Sequence, residues 1–194
     1  MIPEFRNKYN ATFNETAYEA LCEKLNHIAG KKLDFRVAET PVFVPKKIRD
    51  EMIHTCEYVV DFIESEDFAK KTETAIPHQF LMEGIENKAQ FMVFDFAITT
   101  NENQELKPAM IELQGFPSLF AFQHQLDQIY RENFQISERV TSYLSNKNRS
   151  SYIDLLKNIL LGNEDPKEVV LMDLNPTEQK TEIDFILTEK MTGV

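Results

Sequence analysis

Two short runs rich in β-branched and aromatic residues constrain the fold of this chain most strongly. The first run is QFMVFDFAIT (residues 90–99), the second is PAMIELQ (residues 108–114), and a polar stretch containing NENQELK joins them. Runs of this length and composition, separated by a short polar loop, are typical of an antiparallel β-hairpin. The rest of the 194-residue chain must then provide elements that pack on this hairpin.

Most of the remaining sequence has the apolar spacing of amphipathic helices. In residues 14–28 the apolar side chains recur at helical intervals, with Asn14 as a candidate N-cap and Gly30 just past the end. The same spacing predicts further helices over residues 46–64, 116–131, 151–161 and 182–191, and a weaker helical piece within 133–150. We therefore expect a mixed α and β (α+β) fold, with helices packed on the antiparallel hairpin.

The sequence changes character at the polar stretch SNKNRSS (residues 145–151), where we predict a domain boundary. Residues 1–145 then form a helical and hairpin region, and residues 146–194 form a second unit. In that unit a helix is followed by EVVLMDL (168–174), predicted as a buried strand, and by another helix. This order is typical of an α/β domain, so we expect the opening β-α unit of a Rossmann-like domain that continues past Val194.

Charge and hydropathy restrict the partners of this protein. Lys and Arg number 21 against 32 Asp and Glu, a formal net charge of -11, so a phosphate backbone is repelled and we expect no nucleic-acid partner. No apolar run approaches the roughly 18 residues of a membrane span, and MIPEFRNKYN is not a signal segment. We expect a cytoplasmic protein without membrane contact. The two cysteines lack the spacing of a zinc site or a disulfide framework.

Polar side chains fall on one face of the predicted hairpin. Because successive strand residues alternate between faces, Asp95 shares a face with Val93, and Glu112 shares a face with Met110 and Gln114. Oxygen donors on neighbouring strands suit Mg²⁺, which proteins commonly hold with one or two carboxylates. We therefore predict Asp95, Glu112 and Gln114 as metal ligands. The alternative is a solvated polar face, which many antiparallel sheets have.

The residues FDF (94–96) and IELQGFPSL (111–119) resemble the metal-binding core of ATP-grasp enzymes. In that family a strand Asp is followed by Glu-x-Asn on the next strand. The order of segments is similar to the glutathionylspermidine-synthase-like, circularly permuted branch, in which this motif precedes a Rossmann-like pre-ATP-grasp unit. The resemblance implies that Asp95, Glu112 and Gln114 hold Mg²⁺ with ATP. It also implies the N-terminal part of a carboxylate-amine ligase that joins small-molecule carboxylate and amine substrates through an acyl phosphate.

Two positions depart from the pattern of that family. Val93 stands where the family has Arg, and Gln114 stands where it usually has Asn. The family's nucleotide-binding lysines would lie beyond Val194, and the resemblance assigns no catalytic side chain to this segment. The alternative is therefore a non-catalytic, degenerate ATP-grasp-like domain that binds a ligand or a protein.

Two further sets of polar residues have competing interpretations. Asn175, Thr177, Gln179 and Asp184 follow the predicted strand, where α/β sheets place ligand contacts, but helix capping explains them as well. None of the histidines forms a metal-ligand pair by spacing, and His124 is the one that follows the hairpin motif most closely.

Overall fold

A computed structural model describes residues 1–80, 89–115 and 119–194 of the chain. Within these residues the fold is mixed α and β, as predicted, with seven α-helices and one two-stranded antiparallel sheet. The elements are α1 (Pro3–Thr12), α2 (Glu15–Ala29), α3 (Lys46–Ile63), α4 (Glu66–Thr72), β1 (Val93–Thr100), β2 (Leu106–Gln114), α5 (Phe120–Asn133), α6 (Arg149–Leu161) and α7 (Glu182–Thr192). No helix in the described ranges is long and apolar enough to cross a membrane.

The chain divides into two compact units. The discontinuous unit combines Met1–Phe43 with Ser118–Val194, and the continuous unit is Val44–Pro117. The discontinuous unit contains α1, α2, α5, α6 and α7, and the continuous unit contains α3, α4 and the hairpin.

Helix α2 forms where the sequence predicts it because both of its ends carry strong signals. The Asn14 side chain accepts a hydrogen bond from the Ala17 N–H at 2.8 Å, which satisfies an amide that would otherwise lack an intrahelical partner. Gly30 ends the helix in the left-handed region with φ of 67°, a conformation that glycine adopts at little cost. The predicted helices over 46–64, 151–161 and 182–191 are confirmed within one or two residues.

The core of the discontinuous unit lies where α2, α5 and α7 pack together, with α6 against α7. Side chains from all three central helices are almost wholly buried there, and burying each large aliphatic side chain stabilises the fold by about 2 kcal/mol. The fully buried ones are Leu21, Leu25, Ile129 and Ile183. An ion pair between Lys31 and Glu182 and a hydrogen bond from the Tyr130 hydroxyl to the Ala38 carbonyl also hold residues 1–43 to residues 118–194.

Helix α1 was not predicted, although it supplies one of the most buried side chains. Tyr9 is 1% exposed, and its ring contacts the rings of Phe13, Phe43 and Phe134, the last at 5.0 Å between centroids. Its hydroxyl donates a hydrogen bond to the Glu39 carbonyl at 2.8 Å. The helix begins at Pro3, whose missing N–H costs nothing in the first turn.

Two predicted helical segments differ in the structure. The helix expected over 116–131 begins at Phe120, and residues 116–118 of that prediction lie outside the described residues. The weaker helical piece within 133–150 is absent from residues 134–148, so that prediction was wrong. Ser145 and Asn146 both have positive φ, which ends any right-handed helix, and the Arg131 guanidinium holds the segment by donating to the Val140 carbonyl at 2.8 Å.

The predicted buried strand over 168–174 is also wrong. Residues 169–174 form no strand, and their apolar side chains are mostly exposed. A strand needs a neighbouring strand to satisfy its main chain, and residues 146–194, all of which the structure describes, provide none. Of the helix, strand and helix expected for a Rossmann-like opening, only the helices α6 and α7 form, and the connection between them contains two 3-10 turns, Pro166–Glu168 and Pro176–Glu178.

In the continuous unit the hairpin is confirmed, and α3 packs against β2. The ladder pairs Val93 with Gln114 at one end and Thr100 with Leu106 at the other. The register shifts by one residue after the Asp95–Glu112 pair, so that Ile111 of β2 is an extra residue. Such a β-bulge bends the bulged strand and increases its local twist.

Candidate metal site on the hairpin

The register of the hairpin places the two predicted carboxylates directly opposite each other. Asp95 of β1 pairs with Glu112 of β2, and Val93 pairs with Gln114. Directly paired residues of an antiparallel ladder project from the same face, with Cβ atoms about 5 Å apart. Asp95, Glu112 and Gln114 therefore share one face, as the sequence predicted. Met110 does not share it, because the bulge at Ile111 pairs Met110 with Phe96 of the opposite face.

A hydrogen bond already joins two of the three side chains. The Gln114 amide nitrogen Nε2 donates to Glu112 Oε1 at 2.5 Å. Asp95 and Glu112 are exposed, whereas Gln114 is half-buried. The bond restricts the rotamers of both residues of β2, so part of the ordering that a ligand would require is present already.

The electrostatics of this face favour a cation. Like charges directly opposite each other in a ladder are destabilising, and the Asp95–Glu112 pair has this arrangement. A divalent ion between the carboxylates would turn this repulsion into attraction. Hard cations such as Mg²⁺ take oxygen ligands and keep open positions for water or phosphate oxygens. Because Gln114 presents its N–H to Glu112, the amide oxygen is the atom that remains for a metal or a ligand.

The other candidate metal ligands do not assemble into a site. Among the described residues no group of three or more His, Cys, Asp or Glu side chains is arranged to hold a metal ion, and the hairpin trio contains only two such side chains. Cys22 and Cys56 are both free thiols. The residues Phe116 and Pro117, which belong to the resemblance, lie outside the described residues.

A polar cluster in the discontinuous unit was not predicted. His124 of α5 is 3% exposed, its ring stacks on Tyr152 with an interplanar angle of 2°, and its Nδ1 lies 2.8 Å from the Tyr143 hydroxyl. Its Nε2 is buried and has no hydrogen-bond partner among the described residues. Burial, with the nearby Arg149 charge, lowers the pKa of His124, while Asp127 acts in the opposite direction. A neutral imidazole is therefore favoured at this position.

Asp184 of α7 caps a different helix, α5. Its Oδ1 accepts a hydrogen bond from the Phe122 N–H at 2.7 Å, at the first turn of α5. Burial raises the pKa of Asp184, while hydrogen bonds from the main chain of residues 119–122 lower it. The capping expected at the start of the following helix is absent, because the N-cap of α7 is Thr181 and makes no side-chain hydrogen bond. Asp184 instead caps α5, whose own N-cap Leu119 provides no side-chain acceptor. The side chains of Asn175 and Gln179 donate to the Glu178 carboxylate and to the Leu174 carbonyl, within their own connection.

Because the His124 imidazole is buried, we expect the stability of the protein to depend on pH. A lowered pKa means that the unfolded chain binds this proton more readily than the folded protein does. We therefore expect the free energy of unfolding to fall as the pH drops from 6.5, the usual value for the group, through the lowered pKa of His124. Urea denaturation between pH 5 and 8 measures this. His124→Gln should flatten the profile, and His27→Gln, at an exposed position, should not. Equal slopes in all three proteins would exclude His124 as the cause.

Comparison with known proteins adds no relative. No protein-family model, characterised protein or solved structure matches this chain. The function of this chain is therefore inferred from the register of the hairpin and from the motif.

Proposed function

We propose that the hairpin face formed by Asp95, Glu112 and Gln114 binds Mg²⁺ and, with it, ATP. On this proposal the chain is the N-terminal portion of an ATP-grasp-type carboxylate-amine ligase. The observation that carries it is the direct pairing of Asp95 with Glu112 across the ladder, next to an ordered Gln114. The motif resemblance supplies the reaction class. A ligase of this kind acts where ATP is abundant, so the proposal includes a cytoplasmic location.

The chemistry assigned to this face is electrostatic. A carboxylate-amine ligase transfers the γ-phosphoryl group of ATP to a substrate carboxylate oxygen, and the amine then attacks the carbonyl carbon and releases phosphate. Mg²⁺ neutralises charge on the phosphate oxygens in such reactions. Asp95 and Glu112 would hold the ion, and the Gln114 oxygen would orient it or a bound water. No proton transfer is required of these three side chains.

A second candidate function is a non-catalytic domain that binds a ligand or a protein. Val93 favours it, because this apolar residue pairs with Gln114 where the resembled family has an arginine. An arginine there would contribute a bidentate phosphate donor, which valine cannot replace. On this candidate function the hairpin binds a divalent ion, or a partner through its polar face, without nucleotide.

Calorimetric titration of ATP in the presence of Mg²⁺ tests the proposal. In the longer protein that this proposal implies, we expect saturable, metal-dependent binding to the wild type and its loss in Glu112→Ala, which removes one ligand and leaves a single carboxylate. Asp95→Asn should have the same effect. Both side chains are exposed, so the melting temperature without metal should stay the same or rise as the repulsion is removed.

The control is Glu102→Gln, which removes one exposed carboxylate from the connecting turn of the same hairpin. Its affinity should equal that of the wild type. Nucleotide binding that survives in both Glu112→Ala and Asp95→Asn would refute the site. Binding of Mn²⁺ alone, with no effect of ATP, would refute the ligase and favour the non-catalytic domain.

A further inference from the structure

The connection between α6 and α7 contains a strand-like segment with apolar side chains exposed to solvent. In residues 169–174, which we call the open segment, the apolar side chains from Val169 to Met172 alternate between lower and higher exposure. Val170, Met172 and Leu174 are 78%, 85% and 84% exposed, whereas Leu171 is 36% exposed. Alternation with a period of two is the pattern of a strand that has one face on its own protein. The other face therefore presents three apolar side chains to solvent.

The main-chain N–H groups in the middle of the open segment are unpaired as well, although those of Val169 and Leu174 donate to Pro166 and to the Asp173 carboxylate. The N–H groups of residues 170–173 donate no hydrogen bond to any described residue. Val169 is extended, with φ of -104° and ψ of 133°. Free N–H and C=O groups along an extended segment form a template for another strand. Addition of a strand satisfies these groups and places new side chains beside the exposed apolar ones.

Local hydrogen bonds hold the turns at both ends of the open segment. Before it, the Asp165 carboxylate accepts a hydrogen bond from the Lys167 N–H at 3.0 Å, and Pro166 lies against Gly193 at the end of α7. After it, the Gln179 side chain donates to the Leu174 carbonyl at 2.8 Å. A segment whose two ends are held in place loses less conformational entropy when a partner pairs with it.

The charge around the open segment defines its partner. Residues 163–178 contain five exposed acidic side chains and one basic side chain, Lys167. The acidic residues are Glu164, Asp165, Glu168, Asp173 and Glu178. Such a rim repels a second copy of this chain, whose formal net charge is -11, and attracts a segment that carries Lys or Arg.

We propose that the open segment is a docking edge for an extended protein segment with alternating apolar residues and flanking basic residues. In antiparallel pairing the partner places apolar side chains opposite Val170, Met172 and Leu174. Basic side chains at its two ends lie near the exposed carboxylates of Glu168, in the turn before the open segment, and of Asp173. This site lies in the discontinuous unit and does not depend on the metal site of the hairpin.

A synthetic peptide provides the probe. The sequence Val-Lys-Val-Thr-Val-Thr-Lys, labelled with a fluorophore, puts its first lysine opposite Asp173 in the antiparallel register and its last lysine near Glu168, in the turn that precedes the open segment. We expect saturable binding by fluorescence polarisation that weakens as salt is raised. A scrambled peptide of the same composition should bind at least about tenfold more weakly, since it breaks the alternation. No saturation of the first peptide below about 1 mM would overturn the proposal.

Variants locate the binding on the protein. Met172→Lys, at an 85% exposed position, should reduce affinity without changing the melting temperature, whereas Leu144→Lys, at a 44% exposed position of the same unit, should not reduce it. Exchanging the charges of the peptide and the protein should restore binding. A peptide with Glu in place of its first Lys should bind the wild type weakly, and Asp173→Lys should restore its affinity. Equal affinities in all these pairs would overturn the assignment.

N-methylation of the peptide main chain distinguishes strand pairing from other modes of peptide binding. Two versions of the peptide carry N-methyl groups on alternate residues, either the odd or the even ones. Strand pairing predicts that only one version loses affinity, because only one set of N–H groups faces the open segment. Equal loss or equal retention would overturn strand pairing and favour a helix lying on the apolar face. Sedimentation velocity over a range of concentrations completes the test, since self-association through this segment would make a second copy the occupant.

Discussion

Replacing Tyr9 with alanine should lower the free energy of unfolding by about 4 kcal/mol, because it removes a wholly buried ring and leaves a cavity. The ring lies among Phe13, Phe43 and Phe134, whose contacts with it would be lost. Urea denaturation followed by circular dichroism measures the change. The exposed Tyr58 of α3 gives a matched control, since Tyr58→Ala should cost less than about 1 kcal/mol.

Tyr9→Phe separates the contribution of the hydroxyl group to stability from that of the ring. It retains the ring and removes only the hydroxyl that donates to the Glu39 carbonyl, so we expect a loss of about 1 kcal/mol. A loss in Tyr9→Phe as large as in Tyr9→Ala would show that the hydrogen bond, and not the packing of α1, holds this part of the structure. An unchanged stability in Tyr9→Ala would mean that α1 does not contribute to the core.

Replacing Asp184 with alanine should destabilise the discontinuous unit by about 3 kcal/mol, because it leaves main-chain amides at the start of α5 without an acceptor. The carboxylate accepts from the Phe122 N–H, and Leu119 offers no side chain to replace it. Denaturation by urea, together with amide hydrogen exchange of the first turn of α5, measures both the global and the local effect.

Asp184→Asn separates the acceptor from the charge. It retains an oxygen for the Phe122 N–H, so it should destabilise less than alanine does. The raised pKa of Asp184 means that the folded protein binds this proton more tightly than the unfolded chain, and stability should therefore decrease as the pH rises through that pKa. The asparagine variant should lack this contribution. Equal stability of the alanine and asparagine variants would refute the capping role.

The helices could be predicted because their signals are local. Asn14 and Gly30 bracket α2 within a few residues, and Gly162 and Gly193 end α6 and α7. Helix α1 was missed because its apolar spacing is weak and its position depends on aromatic contacts with distant residues such as Phe134. Tertiary contacts that join residues far apart in the chain leave no periodic signal in the sequence.

The hairpin register was predictable to the extent that alternation determines it. Side-chain alternation along each strand predicts that Asp95 and Glu112 lie on one face. The structure confirms this, since the two residues are paired across the ladder. The position of Met110 was wrong, since the bulge at Ile111 reverses the faces over the rest of β2. A one-residue shift changes the face of every later side chain, and apolar and polar residues alternate too little in PAMIE to reveal it.

The polar residues that hold the discontinuous unit together were not identified as such. Asp184 caps a helix more than 50 residues away in sequence, and its hydrogen bond to Phe122 has a separation of 62 residues. His124 contacts Tyr143 and Tyr152 from two different segments. The EVVLMDL segment has the composition of a strand, but composition does not specify a partner, and within residues 146–194 it has none. The sequence of this segment therefore does not determine whether it is buried.

The division of the chain imposes an order on folding. Residues 44–117 interrupt the discontinuous unit, so the contacts that close it, such as Tyr130 with Ala38 and Lys31 with Glu182, join segments that are synthesised far apart in time. Closing so long a loop costs chain entropy before any contact is gained, which slows folding. The continuous unit has no such requirement. During synthesis, the face of α2 that packs on α5 and α7 therefore lacks these partners until both helices have emerged.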